Sequence, residues 1–175
     1  MVEHPCSASP RSRPSGDLLT DADAFAVRRA TPADAAALGR LLWEFNTEFD
    51  SPTDSAEVLT ERFGRILGYD NVVALVVGDA KGFALITLRP AIWFDGPVAQ
   101  LEELYVVPSL RNWGIGTRLI AEARRIIGEL GAPEMHINVD EVDEDTRRFY
   151  ERHGFVNIEA GADYRMLCYI GQTEV

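Results

Sequence analysis

The chain is expected to fold as an α/β domain, a mixed sheet with helices on both faces, in the order βαα-βββ-α-β-α-ββ. Three observations predict this. The apolar runs at 72–77, 83–88 and 98–107 are separated only by turn-forming segments, as antiparallel strands are. The last of them passes Pro108 and a glycine-rich turn into a helical stretch and then another strand-like run, so those two strands should pair in parallel through a right-handed crossover. Apolar residues at 38, 41, 42 and 45, and again at 119, 120, 123, 126 and 127, recur at helical spacing and need a sheet to cover them.

Taken in order, residues 1–24 are rich in Pro, Ser, Arg and Asp without apolar periodicity, and are expected to form a disordered tail outside the domain at 25–175. Residues 25–30 read as a first strand. Thr31-Pro32 with Asp34 signals a helix start, and a polar loop at 46–55 separates that helix from a second one ending near Gly68. Strands at 72–77 and 83–88 flank the turn at 78–82, residues 91–97 form a strand end and turn, and 98–107 is the fourth strand. Gly131 and Pro133 close the central helix. A fifth strand at 135–139, a helix opening at Asp140 or Asp143 and running to His153-Gly154, and strands at 155–158 and 164–170 complete the expectation.

The net charge of −11 argues against generic nucleic-acid binding and would suit a cationic substrate. No stretch has the ~18 uninterrupted apolar residues of a membrane span. Cys6 and Cys168 do not make a disulfide framework, which fits a reducing, cytoplasmic setting. Against the acidic background, Arg111, Arg118, Arg124, Arg125, Arg147 and Arg148 make one region locally basic. There Gly114 and Gly116 open a helix whose first N–H groups lack intrahelical acceptors, a natural place for an anion.

The combination of Arg111-x-x-Gly114-x-Gly116 after a strand, a long helix, a strand, and a helix carrying Phe149-Tyr150-Glu151-Arg152-His153-Gly154-Phe155 resembles the GNAT superfamily of acetyl-CoA-dependent N-acetyltransferases. The resemblance covers about residues 25–170. It implies that coenzyme A lays its pyrophosphate on the backbone of Arg111, Asn112, Trp113, Gly114, Ile115, Gly116 and Thr117. It also implies that strands four and five splay, so that the pantetheine amides pair near Leu104, Val106 and Val107, with a backbone N–H such as that of Val106 polarising the thioester.

Tyr150 is then the candidate proton donor to the leaving thiolate, and Glu102 and Glu103 are the candidate bases. Strict alternation places these two glutamates on opposite faces, with Glu103 beside Leu101 and Tyr105, unless a bulge changes the parity. Asp143 stands where the family usually has asparagine, so a capping role is favoured, with Asn138 a compensating cofactor contact. His136 and His153 are read as structural. Trp43, Phe45, Trp93 and Asp95, aromatics interleaved with carboxylates, are the candidate acceptor contacts and suit an organic cation. No metal site is expected.

The expected activity is acetyl transfer to a small-molecule primary amine through a ternary complex. Its alternatives are protein or peptide Nα- or lysine acetylation, or a non-catalytic acetyl-CoA sensor. A homodimer through the final strands is expected by analogy.

Overall fold

The computed structural model describes residues 24–172; the expected tail, Ala24 apart, lies outside the described residues. Five strands form one sheet in sequential order: β1 (Val27–Arg29), β2 (Val72–Val77), β3 (Gly82–Arg89), β4 (Val98–Val106) and β5 (Met135–Ile137). Pairing is antiparallel except between β4 and β5, which run parallel as the intervening helix requires. The helices are α1 (Ala35–Glu48), α2 (Ala56–Ile66), α3 (Ile115–Glu129) and α4 (Glu144–Arg152). The Thr31-Pro32 start is used by a short 3-10 turn, Pro32–Asp34, which leads directly into α1.

The sheet separates two apolar clusters. On one face Val73, Leu75, Ala84, Ile86 and Leu101 pack beneath Leu119, Ile120 and Ile127 of α3, with Tyr150 of α4. On the other Val76, Phe83 and Tyr105 meet Leu38 and Leu41 of α1 and Phe63 of α2. β2 is buried along its whole length, as a strand covered on both faces must be. Helices α1 and α2 approach closely because residue 39 is glycine: a Cβ there would lie 2.5–2.8 Å from atoms of Thr60.

Two expectations fail at the C-terminal side. β5 stops at Ile137, short of the expected 139, and the strands expected at 155–158 and 164–170 do not form. Residues 164–170 alternate Tyr, Met, Cys and Ile with Arg, Leu and Tyr, so both faces of such a strand would be apolar. The described fold offers cover to neither: Leu167, Tyr169 and Ile170 are exposed. Strand propensity acts only when a neighbouring edge and a packing surface accept the segment. Here the segment is held by isolated contacts, Met166 N–H to Asn157 O at 2.7 Å and an Arg165–Glu141 ion pair.

Candidate active site

The centre of β4 does not follow simple alternation. Leu101 belongs to the α3 face and Tyr105 to the α1 face, although four residues separate them and a regular strand would place both on one side. The ladder explains this. Glu103 pairs with Leu85 and Leu101 with the next residue, Ile86, so Glu102 is an extra residue, a β-bulge. Phe83, Leu85 and Thr87 share the α1 face. Glu103 lies opposite Leu85, and the Thr87 hydroxyl donates to Glu102. Both glutamates therefore stand on the α1–α2 face, which corrects the alternation that set them on opposite sides.

The pair is unequal. Glu102 is exposed, whereas Glu103 is half-buried. Burial pushes the Glu103 carboxyl up to about 7, and the neighbouring Glu102 adds to the rise. A carboxylate titrating there can act as a base at neutral pH.

β4 also loses its partner at this point. Its parallel ladder with β5 covers only Ala99, Gln100 and Leu101, opposite Met135, His136 and Ile137. Beyond it, among the described residues, the edge from Glu102 to Val106 has no strand beside it, so strands four and five do diverge. The backbone phase follows from the opposite edge. Val107 N–H donates to Lys81 O at 3.1 Å, and Tyr105, two residues back, likewise faces β3. The peptide groups of Leu104 and Val106 consequently point into the gap.

Tyr150 lies in the same region. It is 9% exposed and packs edge-on against the rings of Phe149 and Phe155. Burial first, and then the charges of Asp143 and Glu103, raise its pKa well above that of an ordinary tyrosine. The phenol therefore stays protonated through the neutral range. Asp143 caps α4, accepting from Thr146 N–H at 3.0 Å, as expected. Asn138 is exposed just past the end of β5.

At the C-terminal end of β4, Pro108–Leu110 form a 3-10 turn and α3 begins at Ile115. Gly114 caps α3 with φ 75°, and Asn112 shares the left-handed region with φ 65°. The first bond reaching back from α3 is Arg118 N–H to Gly114 O at 3.1 Å. Among the described residues, the N–H groups from Asn112 to Thr117 meet no backbone acceptor, which leaves a concave row of donors at a helix N-terminus.

The two glycines serve different ends. A Cβ on Gly114 would meet nothing within 4 Å, so its requirement is the backbone angle alone. Gly114→Ala should cost about 1–2 kcal/mol, measurable by denaturant unfolding, with unchanged secondary structure by circular dichroism. Gly116 instead makes room for α4: a Cβ there would sit 3.1 Å from the Phe149 ring.

The side chains of Arg111 and Thr117, at the two ends of that turn, both have protein partners. Arg111 forms a two-pronged ion pair with Glu48 at the end of α1, at 2.6 and 2.7 Å, and its Nε donates to Val106 O at 3.1 Å. Its N–H donates to Pro108 O at 3.2 Å. The Thr117 hydroxyl lies 3.0 Å from Nε2 of His153, whose Nδ1 meets Phe149 O at 2.7 Å, tying α4 to the start of α3. His136 lies between Arg89 and Glu134, bonded to both.

The aromatic candidates divide. Phe45 packs on Tyr105 and Phe49, both at 5.3 Å, on the glutamate face. Trp43 is exposed on α1, one turn beyond Gly39. Trp93 and Asp95 are exposed in the loop before β4, at the opposite end of that strand from the glycine turn. That loop is anchored where Gly96 packs on Gly131. Glu48 had no local signal in sequence, since its partner lies 63 residues away. Among the described residues no cluster of three or more potential metal ligands occurs, and no helix is long and apolar enough to cross a membrane.

The chain is similar in sequence to aminoglycoside N(6')-acetyltransferase type 1 of Stenotrophomonas maltophilia, 30% identical over 149 residues, covering 83% of this chain and 95% of that protein. It is also 28% identical over 138 residues to the D-amino-acid N-acetyltransferase HPA3 of Saccharomyces cerevisiae, covering 74% of this chain and 84% of that one. A solved structure from Arthrobacter sp. FB24, assigned as an acetyltransferase without a stated substrate, superposes with a TM-score of 0.80 at 38% identity. It covers 93% of this chain and all of that one. A soil-metagenome aminoglycoside acetyltransferase in complex with trehalose shares the fold, with a TM-score of 0.69 at 19% identity over 90% of this chain and all of that one. The model of the acetyltransferase (GNAT) family matches residues 35–155, and the chain belongs to that family of acyltransferases.

Proposed function

We propose that this enzyme transfers the acetyl group of acetyl-CoA to a primary amine of a small, cationic molecule by direct attack within a ternary complex. The observation that carries the reading is the β4 bulge. It puts Glu103, titrating near neutrality, on the acceptor face beside the open edge of β4. The row of donors from Asn112 to Thr117 fits a pyrophosphate, and the free peptide groups of Leu104 fit the amides of a pantetheine arm, the Val106 carbonyl being held by Arg111. Acetyl-CoA supplies the activated acyl group.

The residues then divide the work. An alkyl amine of pKa ~10.4 is almost wholly protonated at pH 7, a penalty of ~4.6 kcal/mol, so the attacking nitrogen must lose a proton. Glu103 accepts it, while exposed Glu102 draws the cation in. The nitrogen forms its bond to the thioester carbon, the Val106 N–H stabilises the developing oxyanion, and the C–S bond breaks. Tyr150 donates its proton to the departing thiolate, and the second proton, which the acylated nitrogen sheds as the amide forms, returns the phenol to its neutral form.

The acceptor face supports a small substrate. A cavity of about 320 Å³ between α1, α2 and β3 is lined by Leu42, Leu59, Phe63, Ile66, Tyr69 and Leu85, the last directly across from Glu103, and by Arg62 and Arg65 of α2. It would therefore take the apolar part of an acceptor rather than its cationic group. Phe45, Trp43, Trp93 and Asp95 are the further acceptor contacts of this reading, and the 28 acidic residues against 17 basic ones favour a cation. The aminoglycoside and D-amino-acid acetyltransferase relatives point to the same amine chemistry. We take residues 25–175 to act as one domain in the cytoplasm, without nucleic-acid or membrane partners. The exposed strand-like segment at its C-terminus favours a homodimer.

A panel of aminoglycosides, polyamines, aralkyl amines and amino acids, assayed for thiol release from acetyl-CoA, tests the proposal. Turnover of at least one class is expected. Acetylation confined to peptide N-termini or protein lysines would overturn the small-molecule assignment.

A further inference from the structure

We infer that Glu48, which reaches neither reacting group, is a positioning residue that locks the acceptor-side helix α1 to the coenzyme A groove through Arg111. The inference rests on the reading of Asn112–Thr117 as the phosphate cradle.

The geometry makes Arg111 a rigid link rather than a surface cation. Its guanidinium meets both Glu48 oxygens, at 2.6 and 2.7 Å, and its third donor, Nε, holds the carbonyl of Val106 at 3.1 Å. The group also lies 5.6 Å from the centre of the Tyr105 ring, which is itself packed on Phe45 of α1. An exposed single-contact ion pair contributes little, but a planar fork matched to a carboxylate fixes both distance and orientation. The Arg111 guanidinium beside Glu48 holds that carboxyl below its usual range, so the lock is charged at neutral pH.

Both attachments matter to the site. Val106 is one of the two β4 residues whose peptide groups face the gap, and Arg111 holds its carbonyl while sitting one residue before the donor row. Glu48 is the last residue of α1, the helix that carries Trp43 and Phe45. A displacement at the end of α1 is therefore transmitted to the edge of β4 and to the turn that opens α3. Arg111 committed in this way supplies the cradle with shape rather than with a side chain on the phosphates.

The test is a double-mutant cycle on coenzyme A binding by calorimetry, using the full chain, with Glu48→Gln, Arg111→Gln and the double variant. Glu48→Gln is expected to weaken coenzyme A binding about fivefold, and to add little in the Arg111→Gln background, because Arg111 is its main partner and the contact with the Tyr105 side chain, also on Glu48, is one that glutamine can keep. In steady-state assays the same variant should raise the KM for acetyl-CoA with kcat held within about twofold. Thermal denaturation of each variant accompanies the cycle, and Glu48→Asp, which keeps the charge with a shorter reach, should restore part of the affinity. Unchanged binding in Glu48→Gln, or additive losses in the cycle, overturns the inference while leaving the phosphate cradle standing. Absence of coenzyme A binding to the wild-type chain overturns the cradle, and the inference with it.

Discussion

Tyr150→Phe should lower kcat at least a hundredfold while leaving the KM for acetyl-CoA close to that of the wild type. The departing thiolate has a pKa near the ~8.5 of an ordinary thiol, and a positioned acid typically contributes 10²–10⁴-fold to such a step. Phenylalanine preserves the ring contacts with Phe149 and Phe155, so the core that buries Tyr150 keeps its packing. Its hydroxyl makes no hydrogen bond to another described residue, and no buried polar side-chain atom among them lacks a partner. Removing it leaves no orphaned partner, and the unfolding midpoint should move little. Burial and the nearby Asp143 and Glu103 charges hold the phenol protonated, so wild-type activity should show no loss on the alkaline side attributable to this group. Single-turnover kinetics at saturating acetyl-CoA give the readout. Retained kcat in Tyr150→Phe would remove the acid role and leave protonation of the thiolate to water.

What could be seen in the sequence, and what could not, divides by the distance over which each feature is determined. The turn from Arg111 to Thr117 and the α4 residues around Tyr150 were legible because each is dictated locally. A strand ending at proline, a glycine at the positive φ of a helix cap, and an aspartate capping α4 are properties of a few neighbouring residues. The bulge at Glu102 is different. Glu102 and Glu103 look like any two consecutive strand residues until β3 is laid beside them and Leu85 and Ile86 take Glu103 and Leu101 as partners. Period-2 alternation therefore gave the two carboxylates opposite faces, although the bulge puts them on one.

Arg111 shows the same division within one residue. Its place ahead of the glycines could be read from the motif, but the direction of its side chain could not, because Glu48 lies 63 residues away in the sequence. Residues 164–170 fail in the converse way. Their local signal for a strand is strong, yet β5 contributes only three residues of ladder to the sheet, and nothing described covers either face of the segment. Local pattern states what a segment can do. The available edges decide whether it does so.

The pH dependence of the reaction should carry the signature of Glu103. Its folded pKa of about 7 lies above the ordinary carboxyl value of 4.5, through burial first and Glu102 second. The base form is then the minority below neutrality, and kcat/KM for the amine should rise about tenfold per pH unit up to about 7 before levelling, since that parameter reports the free enzyme. A bound ammonium group beside the carboxylate favours the charged form, so the same limb in kcat should be displaced to lower pH. Glu103→Gln should lose that limb and about 10²–10³-fold in rate, with residual activity still climbing above pH 9 as bulk water deprotonates the amine. Stability should move the other way. A carboxyl whose folded pKa is raised favours the fold fully below its unfolded pKa and loses that contribution as pH rises through 7. Glu103→Gln should therefore gain stability relative to wild type between pH 5 and 8, read as a growing difference in unfolding midpoint at the two ends of the range. A variant that is more stable at pH 8 and nearly inactive would identify a carboxylate kept in an unfavourable place for its chemistry. A wild-type profile flat from pH 6 to 8, or full activity in Glu103→Gln, would move the base to Glu102 or to water held by it.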